Sequence, residues 1–214
     1  MPEIIIISPD NPDQQEVDRA VKILKEGGVI AYPTETFYGL AVDAENPQAV
    51  ARVFAIKGRP VGKPIALIAG GEEAMGPLLT EVSTAARALI KACWPGPLTL
   101  VMPAAADVNP HLTAGTGKLG IRVSSHPVAA ALAKSLGRPI TATSANISGK
   151  EECSTVAQVR KQLGKELDAI VDSGRTRGGA GSTILDMTTD PPAIVREGAI
   201  PYTRLCAILL ARPQ

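Results

Sequence analysis

The chain has few of the residues that metal sites and nucleophilic sites commonly use. Its 214 residues include only two histidines and three cysteines, and the aromatic residues are one tryptophan, three tyrosines and two phenylalanines. Cys93, Cys153 and Cys206 are too far apart in the sequence to form a zinc-binding spacing, and an odd number of isolated thiols favours a reducing compartment. A zinc protein and a disulfide-stabilised scaffold are therefore not expected.

An excess of charge and a long apolar run are also missing. Lysine and arginine number 22 against 21 acidic residues, which gives a formal net charge of +1. General binding to a nucleic-acid backbone is therefore disfavoured, and any phosphate contact must be local. The longest apolar runs, 4–7 and 207–211, are far shorter than the roughly 18 residues that span a bilayer. Because the start of the chain also lacks a basic signal-peptide pattern, we predict a cytoplasmic protein with no membrane contact.

Glycine and proline, by contrast, are abundant, with 20 and 18 copies. The chain is 45% hydrophobic and 20% charged, as is typical of globular proteins. Helical and strand-like patterns alternate along it without a linker or an internal repeat, but predicted strands follow one another directly near 98–123 and 169–197. The sequence therefore predicts one α/β domain over residues 1–214, with a twisted mixed parallel and antiparallel sheet flanked by helices.

Capping residues indicate where several helices begin. Asn11 and Asn46 each precede a proline and are expected to be N-caps, while Thr155 and Gln158 form a capping-box pattern. Residues 139–143 are predicted to form one strand. The glycine-rich segment 115–120 spells GxGxxG but leads into a strand instead of a helix, so a dinucleotide-binding loop is disfavoured.

Polar side chains leave a buried strand at 32–40, which includes Thr34, Thr36 and Tyr38. Sheets of α/β proteins usually place ligands at the carboxyl ends of their strands, so this segment suits the rim of a pocket. It also suits a simple turn whose Thr and Glu side chains cap the next element. Spacing alone does not distinguish the two.

Two further segments suit phosphate. Lys57 and Arg59 lie in a tight loop rich in glycine and proline; a solvated charge run or a helix C-terminal cap would explain them, but their fixed spacing also suits a polyphosphate. The run 141–149 follows a strand and offers hydroxyl, amide and backbone N–H groups that could bind phosphate or ribose oxygens.

These segments together carry a family resemblance that extends over residues 20–200. The motifs are PTETFYGL at 33–40, KGRP at 57–60, WPGPLTLV at 94–101, GIRV at 120–123, TSANISG at 143–149, GSTILD at 181–186 and IVREG at 194–198. In this order they resemble the YrdC-like threonylcarbamoyl-adenylate synthases. The appended C-terminal domain of longer members is not found, so the chain resembles the short form.

The resemblance implies an ATP-dependent enzyme. Members condense L-threonine, bicarbonate or CO₂, and ATP into threonylcarbamoyl-AMP and pyrophosphate, for N6-threonylcarbamoyladenosine at position 37 of tRNA. Such chemistry needs substrate positioning and charge neutralisation and no protein nucleophile. Downstream tRNA threonylcarbamoyl-transferase proteins are the implied partners, with weak tRNA binding as an additional expectation. Mg²⁺ is expected to accompany ATP, without a site formed by protein ligands alone.

The resemblance also implies roles for individual residues. Lys57 and Arg59 would hold the triphosphate and the developing carbamate and are the expected catalytic residues. The remaining ATP-binding residues would be Thr143, Ser144, Asn146 and Arg196. The threonine-binding residues would be Thr34, Thr36, Tyr38, Arg122 and Ser182. For Arg122, a sheet-edge arginine paired with an acidic side chain is the alternative.

Two other functions are compatible with the same residues. One is an RNA-binding or ribosome-associated module that uses a local basic patch without chemistry. The other is a related enzyme that forms a carbamoyl-adenylate from carbamoyl phosphate; its larger relatives carry extra acylphosphatase-like and zinc-finger parts for which this sequence shows no pattern.

Overall fold

The computed structural model describes residues 1–60 and 62–211. Val61 and residues 212–214 of the predicted domain lie outside this description. The helices are α1 (Gln14–Lys25), α2 (Pro47–Lys57), α3 (Thr84–Cys93), α4 (Pro110–Thr113), α5 (Pro127–Leu136), α6 (Val156–Leu163) and α7 (Tyr202–Leu210), with a 3₁₀ helix at Glu72–Leu78. The strands are β1 (Glu3–Ile6), β2 (Ile30–Pro33), β3 (Tyr38–Ala41), β4 (Leu67–Ile68), β5 (Leu98–Pro103), β6 (Lys118–Arg122), β7 (Ile140–Thr141), β8 (Thr143–Ser144), β9 (Ala169–Asp172), β10 (Thr183–Asp186) and β11 (Ala193–Arg196).

The strands form two mixed sheets. One has the order β1-β9-β2-β3-β8 and the other β11-β10-β5-β6-β4-β7. In the first sheet β9 is parallel to both neighbours and β3 is antiparallel to both of its own. In the second, β10 and β5 are parallel whereas β5 and β6 are antiparallel. The predicted α/β class with mixed strand pairing is confirmed, and its strands are divided between two sheets where the pattern suggested one.

The segment 139–143 shows how the chain passes between the sheets. Instead of one strand it forms β7 in the six-stranded sheet and β8 in the five-stranded sheet. The buried Thr141 hydroxyl donates to the Leu40 carbonyl (2.8 Å) and accepts from the Val42 N–H (3.1 Å). Because this side chain satisfies backbone groups of the first sheet from a strand of the second, the polar groups at the crossing stay paired.

Helices α1 and α5 cover one face of the first sheet. Helix α1 buries Val17, Val21 and Leu24, which share a core cluster with Val128 and Leu132 of α5. Burying a side chain of this size contributes roughly 1.5–3 kcal/mol of transfer free energy. The apolar residues recur every three or four positions, and this spacing accounts for both helices.

Capping predictions were mostly confirmed. Asn46 caps α2 and accepts from the backbone N–H groups of Gln48 and Ala49 (both 3.1 Å), and the capping box of α6 is present. The cap predicted at Asn11 was wrong, because Asp13 accepts from the N–H groups of the first turn of α1 at 2.9 and 3.2 Å.

Strands β1 and β3 were not predicted, since four-residue strands depend on their sheet partners. No helix within the described ranges is long and apolar enough to cross a membrane.

Candidate functional site

Most of the predicted site residues, although they come from separate segments of the sequence, line one cleft of about 180 Å³. Its walls come from the β2–β3 hairpin, β6, β8, β10 and β11 and from the loop after α2. Nine predicted site residues line it: Thr34, Thr36, Tyr38, Arg59, Arg122, Thr143, Ser144, Ser182 and Arg196. The other two, Lys57 and Asn146, are buried and are not among its lining residues.

The turn between β2 and β3 fixes the two threonines. Thr34 donates its hydroxyl to the Phe37 carbonyl (2.7 Å), and its oxygen lies 3.2 Å from the Thr36 hydroxyl oxygen. Gly39 pairs across the hairpin with Tyr32, and a Cβ on Gly39 would lie only 3.0 Å from the tyrosine ring. Glycine at this position therefore lets the Tyr32 ring pack closely against β3, and both residues line the cleft.

Tyr38 contributes to the wall differently from the prediction. Its hydroxyl donates to the Gly174 carbonyl (2.7 Å), and the side chain is fully buried. Burial raises the pKa of Tyr38 to about 12. The phenol thus holds the hairpin against the loop after β9, and its role in binding threonine stays a prediction.

Arg122 lies at the end of β6 and forms the Arg122 cluster with Glu35 and Ser124. Its guanidinium pairs with the Glu35 carboxylate, which also accepts from the Ser124 hydroxyl. The side chains of Arg122 and Glu35 are only 7% and 9% exposed. Burial lowers the pKa of Arg122 to about 10, so it remains protonated at neutral pH. Arg122 thus lines the cleft and also forms the acidic pair that was considered as the alternative.

Ser182 connects β5 and β11 through contacts of its hydroxyl group with Thr99 and Arg196. Its hydroxyl oxygen lies 3.0 Å from that of Thr99 on β5. Arg196 donates through Nε and a terminal nitrogen to the Ser182 carbonyl at 3.1 and 2.7 Å, and through the same terminal nitrogen to the hydroxyl at 3.2 Å. These bonds hold the Arg196 guanidinium along the start of β10.

Arg59 is held by its own loop. Helix α2 ends at Gly58, whose backbone is left-handed (φ 56°), and the chain then turns toward the cleft. Arg59 donates to the carbonyls of Lys63 (3.2 Å) and Pro64 (2.8 Å). Burial lowers its pKa below the usual arginine value. Its other N–H groups make no hydrogen bond within residues 1–60 and 62–211 and can donate to a ligand in the cleft.

Lys57, Ser144 and Asn146 form the Lys57 cluster behind the cleft wall. The Lys57 ammonium donates to the Ser144 carbonyl and to both oxygens of Asn146, the carbonyl at 2.8 Å and Oδ1 at 3.2 Å. Ser144 also donates its hydroxyl to Asn146 Oδ1 (2.6 Å). Burial lowers the pKa of Lys57 to about 8. Lys57 therefore holds the loop that lines the cleft, and its contact with the triphosphate, which the family resemblance implies, stays a prediction.

Several cleft residues were missed by sequence reasoning. Thr99 is a polar residue inside an apolar strand, a signal that could have been noticed. Glu152 follows the polar run at 141–149 and lies outside the motif that ends at Gly149. Glu35 and Ser124 were missed as the partners of Arg122, because their proximity depends on the packing of β6 beside the hairpin.

Within residues 1–60 and 62–211, no three His, Cys, Asp or Glu side chains are arranged to hold a metal ion. The described lining residues of the cleft include one carboxylate, Glu152, together with hydroxyl groups such as that of Ser144. This donor set fits a Mg²⁺ ion held mostly by phosphate oxygens and water.

A family model described as Sua5/YciO/YrdC, telomere recombination, matches residues 22–198. The chain belongs to this family. The resemblance inferred from the ordered motifs is therefore confirmed, and the motifs all lie within the matched residues.

Curated relatives in this family are named threonylcarbamoyl-AMP synthase. The chain is 40% identical to that of Photobacterium profundum over 185 residues, covering 85% of this chain and 98% of the relative. It is 37% identical to that of Pyrococcus abyssi over 202 residues, covering 94% of this chain but 59% of the relative. The chain thus spans about three fifths of the longer protein. The names of these relatives agree with the ATP-dependent synthase predicted from the sequence.

A solved structure of P. abyssi Sua5 in complex with L-threonine has a TM-score of 0.92 to this chain. The two are 35% identical, and the alignment covers 96% of this chain and 60% of that one. The likeness confirms the α/β fold of the family.

Proposed function

We propose that this chain is a threonylcarbamoyl-AMP synthase that forms threonylcarbamoyl-AMP and pyrophosphate from L-threonine, bicarbonate or CO₂, and ATP. The observation that carries the proposal is a single cleft lined by residues of both predicted substrate sites, Arg122 and Ser182 for threonine and Arg59 and Ser144 for ATP. The family's curated relatives support it by name. Residues 1–214 would form one synthase domain.

The threonine half of the proposal rests on Arg122. A guanidinium carries five N–H donors in a fixed plane, so Arg122 can pair with Glu35 and still donate to the carboxylate of an amino acid. Thr34, Thr36 and Ser182 present hydroxyl groups to the same cleft. The glutamate would also fix the plane of the guanidinium before substrate enters, so less conformational entropy is lost on binding.

The ATP half of the proposal rests on Arg59 and Arg196, which present guanidinium groups to the cleft. Charge-assisted bonds from these groups would orient the α-phosphate and stabilise the negative charge that develops during its substitution. Lys57 and Asn146 would act behind the wall as positioning residues, because their polar atoms already bind Ser144 and each other.

The proposed reaction needs two substrates brought together and no covalent enzyme intermediate. The threonine amine attacks CO₂ and loses a proton, which gives a carbamate. When bicarbonate is the substrate, its C–OH bond breaks and water leaves as the same carbamate forms. A carbamate oxygen then attacks the α-phosphorus, and the bond to pyrophosphate breaks. Mg²⁺ bound with ATP would neutralise phosphate charge. Holding both reactants in one geometry is the main contribution expected of this cleft.

A direct assay tests the proposal. Purified protein with ATP, threonine and bicarbonate should release pyrophosphate, and mass spectrometry should identify threonylcarbamoyl-AMP. Pyrophosphate release no greater than in a threonine-free control would refute the function. The proposal also includes a cytoplasmic location, transfer of the product to tRNA threonylcarbamoyl-transferase proteins, and weak tRNA binding. The tRNA component would be contradicted by binding whose log K barely changes with log salt.

A further inference from the structure

Glu152 presents a carboxylate to a cleft that is otherwise rich in arginine. Among the described residues that line the cleft, Arg59, Arg122 and Arg196 carry guanidinium groups and Glu152 alone carries a carboxylate. A polyanion such as a nucleoside triphosphate would be attracted by the arginines and repelled by Glu152. The position of this carboxylate therefore calls for a cation between it and the phosphates.

The backbone around Glu152 is fixed on both sides. The carbonyl of Glu151 accepts from the Gln162 side chain (2.9 Å), and the carbonyl of Cys153 accepts from the Tyr38 N–H (2.8 Å). Cys153 is fully buried, whereas Glu152 is half-buried at the cleft. Since β3 and α6 hold the two neighbouring residues, the backbone of Glu152 has a fixed position in the wall of the cleft.

The two glutamates near the cleft differ in their partners. Glu35 is saturated by Arg122 and Ser124. Glu152, in contrast, makes no hydrogen bond or ion pair with any residue in the described ranges. Lys57 already binds Ser144 and Asn146, and Arg59 directs two of its donors to the carbonyls of its own loop. Glu152 thus keeps its oxygens free for a ligand.

We propose that Glu152 is the protein ligand for the divalent cation that enters with ATP. The inference rests on the proposed function, because it assigns a residue to the metal of that same site. Mg²⁺ is usually held by one or two carboxylates together with substrate phosphates and water. One carboxylate in the cleft that Arg59 and Ser144 also line matches that pattern. The cation turns a repulsive contact between Glu152 and ATP into an attractive one.

The test compares Glu152→Gln with Glu151→Gln. Glu151 is the adjacent, exposed residue, so its variant removes the same charge without altering the cleft. Binding of ATP is measured by calorimetry without threonine, once with MgCl₂ and once with EDTA, and thermal unfolding confirms that both variants fold. Binding of Mn²⁺ in the presence of ATP, followed by electron paramagnetic resonance, provides a second readout.

In the unmodified chain and in Glu151→Gln, Mg²⁺ should strengthen ATP binding. In Glu152→Gln this gain should shrink by roughly tenfold, as is typical when a group that supports a metal is removed, while ATP binding in EDTA should stay unchanged or tighten. Mn²⁺ binding with ATP should weaken in parallel.

Three results would overturn the assignment. They are an undiminished Mg²⁺ gain in Glu152→Gln, an equal loss in Glu151→Gln, or weaker threonine binding by Glu152→Gln in the absence of ATP, which would assign the carboxylate to the amino-acid ammonium. If the unmodified chain bound no ATP under either condition, the proposed function itself would fail.

Discussion

Two buried cations support the two halves of the cleft, and they differ in the groups that surround them. Arg122 is paired with a carboxylate, so the Arg122 cluster carries little net charge. Lys57 donates to neutral carbonyl and amide oxygens and forms no ion pair within the described ranges, so the Lys57 cluster keeps a positive charge beneath Ser144. The nearly neutral Arg122 cluster is suited to bind a zwitterionic amino acid through the geometry of its hydrogen bonds. The positive charge of Lys57 is suited to attract a polyanion.

The difference has a consequence for stability. Removing one partner of a buried ion pair leaves the other charge without compensation. Removing a lysine that binds only neutral oxygens leaves carbonyl groups without donors, which costs less. The two clusters should therefore respond differently to substitution. Experiments on these clusters and on Arg59 and Ser182 are given in order of decreasing expected effect.

The largest effect is expected for Arg122→Ala. It should lower the free energy of unfolding by about 3–5 kcal/mol, because Glu35 remains buried without its partner, and it should abolish threonine-dependent pyrophosphate release. Urea denaturation measures the first effect. The double variant Glu35→Ala/Arg122→Ala should recover part of the stability but none of the activity. If the double variant were less stable than Arg122→Ala, the pair would not be the source of the cost.

A smaller effect is expected for Arg59→Ala, and mainly on binding. Loss of a charge-assisted hydrogen bond to phosphate is worth about 1.5–3 kcal/mol, or roughly ten- to a hundredfold in ATP affinity. The free energy of unfolding should change little, since the hydrogen bonds of the Arg59 side chain to the described residues all go to carbonyls of its own loop. Calorimetry of ATP binding tests this, and unchanged affinity would remove Arg59 from the site.

Lys57 should make ATP binding depend on pH. Because burial lowers its pKa to about 8, Lys57 loses its proton, and the cluster its positive charge, as the pH rises through that value. Its neighbours Arg59, Glu152 and Cys153 also influence this pKa. ATP affinity should fall between pH 7 and 9, by roughly tenfold, the equivalent of about 1.4 kcal/mol.

The variant Lys57→Met should bind ATP weakly and with little pH dependence over the same range. The exposed Lys150, in the loop that follows Asn146, provides the matched control, and Lys150→Met should keep the fall. A fall that persists in Lys57→Met would have to come from another group.

The smallest effect is expected for Ser182→Ala. Its hydroxyl contacts Thr99 and Arg196, which lie on opposite sides of it, so its loss should weaken threonine and ATP binding alike. A neutral hydrogen bond contributes about 0.5–1.5 kcal/mol, which corresponds to roughly a two- to tenfold rise in each KM. A change confined to one substrate would assign Ser182 to one half of the cleft.

Much of the fold could be predicted because its signals are local. The apolar face of α1, the Asn46 cap and the capping box at Thr155 are written within a few consecutive residues. The division into two sheets could not be predicted, because it depends on Thr141 bonding to a strand a hundred residues earlier in the chain. Strand pairing is non-local, so short strands such as β3 have weak signals of their own.

The same distinction applies to the site. The sequence by itself determined the family, the polar segments and nine side chains that line one cleft, because backbone-defined loops and ordered motifs are local properties. Only the tertiary structure decided which cations face the cleft and which stand behind it. The Glu35–Arg122 pair, the burial of Lys57 and the position of the Glu152 carboxylate, which has no partner among the described residues, all depend on how distant segments pack. Burial and partner choice, which set charge and pKa, exist only once those segments have packed together.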